Sequence, residues 1–224
     1  LFISGMINFF RQQATAALSR ISDIKALIGS YDCADKGNQY RNLDTAEGHT
    51  MYTYRPLTAD DASCWKELYT IGAQDFPLGF LMTPAEVDDL SLEKCRSVLD
   101  AGGMRGVFSH DALVGFCGFR RFMPSRVRHR GEIGPFFVKR EFQGAGAAQA
   151  LMAGVLAEAK DAGIKQLELG VAQQNHRAIA FYERRGFKRY GEHPDAVRDD
   201  GGEAAAFYTA CSFLSDRFVP HSRR

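Results

Sequence analysis

The chain is poorest in the features that would tie it to a membrane, a metal or a disulfide scaffold. No apolar run approaches the ~18 residues of a membrane-spanning helix. The opening "LFISGMINFF" has neither a basic leader nor a small-residue cleavage site, which argues against a secretory signal. Its five cysteines, Cys33, Cys64, Cys95, Cys117 and Cys211, are odd in number, widely spaced and free of any CxxC pair. That pattern points to free thiols in a reducing cytoplasm. The six histidines are scattered without an HExxH or a His/Cys cluster, so no metal is expected. Neither sign of charge is in excess: 28 basic and 27 acidic side chains leave a net charge of +1. Nothing global therefore calls for nucleic acid or a membrane surface, and any anion site must be local.

What is present is enough apolar material, 45% of 224 residues, for one good core and an appendage. Phe10, Ala14, Ala17, Ile21, Ile24 and Ile28 recur at helical spacing, and the stretch from Gly29 to Thr50 is polar and aperiodic. Residues 1–50 read as a helix plus linker, residues 51–214 as the main domain and residues 215–224 as a tail. No internal repeat or low-complexity tract interrupts the chain.

Within the main domain strands and helices mix. "YTYRPL" reads as a strand, and "TADDASCWKELYTIG" as a helix with Thr58 at its N-terminus. An aromatic loop, "AQDFPLGFLM", leads to a second helix opened by "TPAEVDDL", with Pro84 in its first turn. "MRGVFS" and "ALVGFCGFRRF" form an antiparallel pair turning near His110 and Asp111, and "GEIGPFFV" follows. Ala148, Leu151, Met152, Val155 and Ala159 make one helical stripe that Gly163 ends. "IKQLELGV" is a further strand, "NHRAIAFYERRG" a short helix capped by Asn175, and two terminal strands close near Leu214. The fold class is mixed α/β.

The most unusual stretch is "VKREFQGAGAAQALM". Unpaired N–H groups and a positive macrodipole at a helix start favour an anion, and Gly144, Ala145, Gly146, Ala147 and Ala148 leave room for a diphosphate to reach them. Gln143 offers a side-chain donor. A helix start kept small for tight packing explains the same residues. A dinucleotide turn fits less well, because Lys139 to Gln143 separate the strand end from Gly144 whereas that turn places its first glycine directly after the strand.

Taken with "NHRAIAFYERRGFKRYG", this stretch resembles the GNAT superfamily of acyl-CoA-dependent N-acetyltransferases. Gln143, Gly146 and Ala148 match its [RQ]-x-x-G-x-[GA] pyrophosphate motif. Asn175, Ala178, Tyr182, Gly186 and Phe187 match its N-x-x-A-x-x-x-Y-x-x-x-G-F helix. The likeness covers residues 52 to about 214. It implies a mostly antiparallel twisted sheet, helices on both faces and a splayed central strand pair, where Phe136 and Val138 offer main-chain groups to pantetheine. Pro135 supports the splay independently, since proline cannot donate to a ladder.

The resemblance implies acetyl-CoA as co-substrate and direct transfer to a primary amine of a small molecule or peptide. A non-catalytic acyl-CoA module and a protein N-acetyltransferase are the alternatives, and homodimerisation is left open. It places Tyr182 as general acid, against a tyrosine that only fills core. It places the Val138 N–H at the oxyanion, Glu132 as general base and Asn175 on the cofactor. Pairing with a nearby arginine accounts equally for Glu132, and capping for Asn175. Arg120, Arg121, Arg126, Arg128 and Arg130, with His129, read as a solvated basic hairpin. Phe76, Phe80, Leu81 and Met82 either wall an acceptor pocket or form core under a loop.

Overall fold

The computed structural model describes residues 41–43, 52–198, 202 and 204–213, within one compact unit, Tyr40–Arg224. The helix read over the first thirty residues and the tail at 215–224 lie outside the described residues. The strands are β1 (Arg41–Leu43), β2 (Tyr52–Pro56), β3 (Met104–Ser109), β4 (Ala112–Arg121), β5 (Arg130–Val138), β6 (Gln166–Ala172), β7 (Lys188–Arg198) and β8 (Ala204–Phe213). The helices are α1 (Ala62–Asp75), α2 (Pro84–Asp88), α3 (Leu92–Asp100), α4 (Ala147–Asp161) and α5 (His176–Glu183). All eight strands join one sheet in the order β1-β2-β3-β4-β5-β6-β8-β7. Only β5 and β6 run parallel.

The mixed, mostly antiparallel sheet expected from the sequence is present, with two local differences. β1 falls in the stretch read as linker, because its pairing with β2 rests on a partner edge and not on a local pattern. The segment opened by "TPAEVDDL" forms two helices. Thr83 and Glu86 cap α2 reciprocally, and Ser91 then accepts from the Lys94 N–H at 3.1 Å to start α3.

Helices cover both faces, each over its own core. On one face Trp65, Leu68 and Tyr69 of α1 and Leu99 of α3 meet Phe108, Phe116 and Phe137 of the sheet. On the other, Ala147, Leu151, Met152, Val155 and Ala159 of α4 pack on Tyr52, Tyr54, Val107, Val114 and Cys117. Glu158 fastens α4 by accepting from the Tyr54 hydroxyl at 2.6 Å and from Arg105 Nη2 at 2.6 Å.

The sheet opens at its centre. β5 pairs with β6 only from Arg130↔Gln166 to Glu132↔Glu168, whereas β6 stays paired with β8 through Ala172↔Phe207. The register of β4 against β5 also shifts between Cys117 and Phe119. At that bulge a Cβ on Gly118 would come within 2.2 Å of the Gly134 carbonyl oxygen, so only glycine fits. Pro135 follows at once, and beyond it β5 is bound on the β4 side alone.

Candidate active site

Two facts set the chemistry of the open edge. The Lys139 N–H donates to the Val114 carbonyl at 2.9 Å, so ladder alternation turns the main-chain groups of Phe136 and Val138 away from β4. They face the gap that β6 leaves. The main-chain groups that the resemblance assigns to pantetheine are thus turned away from the β4 ladder, and the Val138 carbonyl accepts from Gln143 Nε2 at 2.8 Å.

Beyond Val138 a 3₁₀ turn (Arg140–Phe142) carries the chain to α4. Gly144 and Gly146 take φ of +85° and +96°, values that a side chain strains. The first intrahelical bond runs from Ala150 N–H to the Gly146 carbonyl at 2.9 Å. The N–H groups of Ala147, Ala148 and Gln149 thus stand ahead of it at the positive end of the helix. Gly144 and Ala145 are exposed and Ala148 is half-buried in the cleft wall, while the Ala147 methyl is wholly buried in the core. Only the main chain of Ala147 can serve an anion.

Gln143 is not the free donor that its motif position suggests. Besides donating to Val138, it accepts from Arg177 Nη1 on Oε1 at 2.7 Å, so it bridges β5 to the start of α5. Sequence reasoning missed Phe137 and Arg184 of the cleft wall and also this arginine. Its only signal was a place two residues past the cap, and its approach to Gln143 appears only when α4 and α5 are brought together.

In α5, Asn175 Oδ1 accepts from the Ala178 N–H at 3.0 Å, which establishes the cap, and the residue also lines the cleft. One residue from the helix end, Tyr182 is buried between Phe136, Phe181 and Phe187 at ring separations of 6.1, 5.4 and 5.8 Å. Burial pushes its phenol well above the usual tyrosine value, and the nearby Cys117 thiol adds to the rise. Tyr182 is both core filler and cleft wall. Among the described residues its hydroxyl makes no hydrogen bond.

Glu132 lies at the other end of β5, where Arg120 Nη2 donates to its Oε2 at 2.6 Å, and it does not line the cleft. The hairpin arginines behave as a solvated cluster in which Arg121 donates to the Arg128 carbonyl at 2.6 Å and two members are ion-paired. Arg120 holds Glu132, and Arg130 forms a two-point pair with Glu168. His129 contributes its carbonyl to the Lys165 N–H at 2.7 Å.

The cleft has a volume of about 230 Å³. Gln143, Asn175, Arg177 and Arg184 supply its polar lining, Phe76, Phe80 and Phe137, packed on one another, an apolar end, and Phe136, Val138 and Tyr182 also line it. Of the four residues proposed as an acceptor wall, Phe76 and Phe80 reach it. Leu81 and Met82 do not, and Met82 packs against the α1 core. Turn amides, two guanidinium groups and an unpaired strand edge match the diphosphate and amide-containing arm of a coenzyme A thioester. Among the described residues no group of three His, Cys, Asp or Glu side chains could hold a metal, and no helix is long and apolar enough to cross a membrane.

Comparison with known proteins agrees with this geometry. The model of the acetyltransferase (GNAT) family matches residues 65–187. Mycothiol acetyltransferase of Salinispora arenicola is 32% identical over 154 residues, covering 68% of this chain and 48% of that protein. The Salinispora tropica protein of the same name is 32% identical over 149 residues, covering 66% and 47%. The chain thus spans about half the length of the curated relatives it matches. Among solved structures, an N-acetyltransferase from Staphylococcus aureus superposes with a TM-score of 0.64 at 16% identity, covering 73% of this chain and 99% of that one. yncA from Salmonella typhimurium, solved with its cofactor acetyl-CoA, gives 0.63 at 16% identity, covering 77% and 99%. At such identities the superpositions speak for the fold. With the family model spanning more than half of the chain, and the open strand edge and helix-start turn where its motifs lie, the chain belongs to the GNAT acetyltransferase family.

Proposed function

We propose that the chain is a cytoplasmic N-acetyltransferase that moves an acetyl group directly from acetyl-CoA to a primary amine of a small molecule or peptide. The observation that carries this reading is one cleft lined by the amide turn before α4, the free edge of β5 and Tyr182. A binding module needs the first two features, and the phenol in the same cleft is what catalysis adds.

Bound acetyl-CoA supplies an activated acetyl thioester. The amides of Gly144, Ala147 and Ala148 and the Arg177 guanidinium hold its diphosphate, while Phe136 and Val138 align its arm along β5. The Val138 N–H faces the gap and donates to the oxygen that gains charge as the amine adds. Tyr182, kept protonated by burial, gives its proton to the departing thiolate, and the proton that the attacking amine loses passes through solvent water and restores the phenol. The acceptor must be neutral to attack, yet a lysine-like amine has a pKa of ~10.4, so turnover rises with pH through the neutral range.

Glu132 is the sequence candidate for taking the amine proton. Its bond to Arg120 and its place outside the cleft lining support an ion-pairing role. The same placement is the observation that favours a second reading, non-catalytic acyl-CoA binding. Release of CoA thiol on mixing with acetyl-CoA and a panel of amines separates the two. Amine-dependent release supports transfer, and acetyl-CoA binding without release from any amine supports the binding module.

A further inference from the structure

The apolar end of the cleft says which amines fit. The loop from Phe76 to Phe80 leaves α1 and is pinned on both sides of the open sheet. Phe80 packs edge-on against Tyr69 and Phe137 at 5.1 and 5.9 Å, and Leu78 reaches the cluster of Ala172 and Phe207 at the β6–β8 end. Phe76 stands edge-on to Phe137 at 6.1 Å. The three phenylalanine rings thus form a preformed wall on the side of β5 away from the amide turn. Among the described residues the cleft lining contains no aspartate or glutamate, and its two formal charges, Arg177 and Arg184, are positive. Asp75, next in sequence to Phe76, faces Arg140 at 3.5 Å. A polycation would bring unpaired charge against aromatic rings and like charge toward the arginines, whereas an apolar group gains from burial.

We propose that the acceptor is a monoamine bearing a bulky apolar or aromatic group, seated against Phe76, Phe80 and Phe137 with its nitrogen toward Tyr182. This inference rests on the acetyltransferase reading above and narrows it. It selects against polyamines and other polycations.

The test uses the full chain at saturating acetyl-CoA, with 2-phenylethylamine and spermidine as probes and thiol release as readout. Expected is a kcat/KM at least about tenfold higher for 2-phenylethylamine, the discrimination a well-fitted apolar pocket supplies. Phe76→Ala should raise the KM for 2-phenylethylamine and leave the KM for acetyl-CoA unchanged, and F76E should shift the preference toward spermidine. Equal or better use of spermidine by the unsubstituted chain overturns the inference and leaves the transferase reading standing. So does a Phe76→Ala variant with an unmoved preference. Acetyl-CoA binding with no thiol release from either probe or any other amine overturns both.

Discussion

The first and last residues of β5 face opposite circumstances. From Arg130 to Glu132 the strand is paired on both edges and clamped by charge: Glu168, buried in β6, holds Arg130, with Gln166 Nε2 at 3.1 Å and the Tyr190 hydroxyl at 3.3 Å adding to the same carboxylate. From Phe136 to Val138 it is paired on one edge and faces a cleft on the other. One strand therefore has a doubly paired end and an open end. Charge pairing is concentrated at the first, and the second leaves main-chain groups unpaired with any strand.

Substitutions should separate the two ends. The largest effect belongs to the open end: Tyr182→Phe should lower kcat by about 10²–10⁴-fold, the usual weight of a general acid, with little change in acetyl-CoA affinity. Unchanged turnover would leave Tyr182 as a core residue. Because burial holds the phenol protonated above the ordinary tyrosine value, turnover should not fall through its ionisation between pH 7 and 9. At the closed end, Glu168→Ala should cost roughly 3 kcal/mol in urea unfolding, since it removes the buried carboxylate that the partly buried Arg130 is paired with. Turnover of the folded variant should persist, and a loss below ~1 kcal/mol would show that this clamp does not hold the strand.

Ala148→Glu sharpens the contrast in the other direction. A carboxylate in the first turn suits the α4 macrodipole, so melting temperature should hold, while repulsion of a diphosphate worth ~2 kcal/mol should raise the acetyl-CoA KM about thirtyfold. An unmoved KM would take the diphosphate away from this turn. This variant is a cleaner probe than a bulky residue at Gly146, whose φ of +96° would strain the fold as well as the site. The smallest effect is expected of Glu132→Gln: kcat within about twofold, a stability loss under ~1 kcal/mol as for exposed pairs, and the same pH–rate profile. A shifted acidic limb would instead return Glu132 to the role of base.

Much of this was legible beforehand because it depends on local pattern. The stripe of α4, the cap at Asn175, the turn glycines and the order of strands each follow from side-chain periodicity or backbone freedom within a few residues. Pro135 supported the failure of central pairing that the family resemblance implied. Arg177, the engagement of Gln143 and the split between α2 and α3 were not legible. The first two arise from contacts between elements far apart in sequence, and the third from a serine cap without the acidic partner that announced α2.

The same division runs through the candidate site. The sequence by itself determined that the main chain between a strand and a helix would be left bare, since Gly144, Ala145, Gly146, Ala147 and Ala148 carry nothing larger than a methyl. It also determined that a tyrosine would lie one helix away. Only the tertiary structure decided that Glu132 is spent on Arg120, that Gln143 is shared with Arg177, and that Phe76 and Phe80 wall the cleft while Leu81 and Met82 do not. A backbone's capacity to bind is written in its own residues, whereas a side chain's occupation depends on which partners the folded sheet brings within reach.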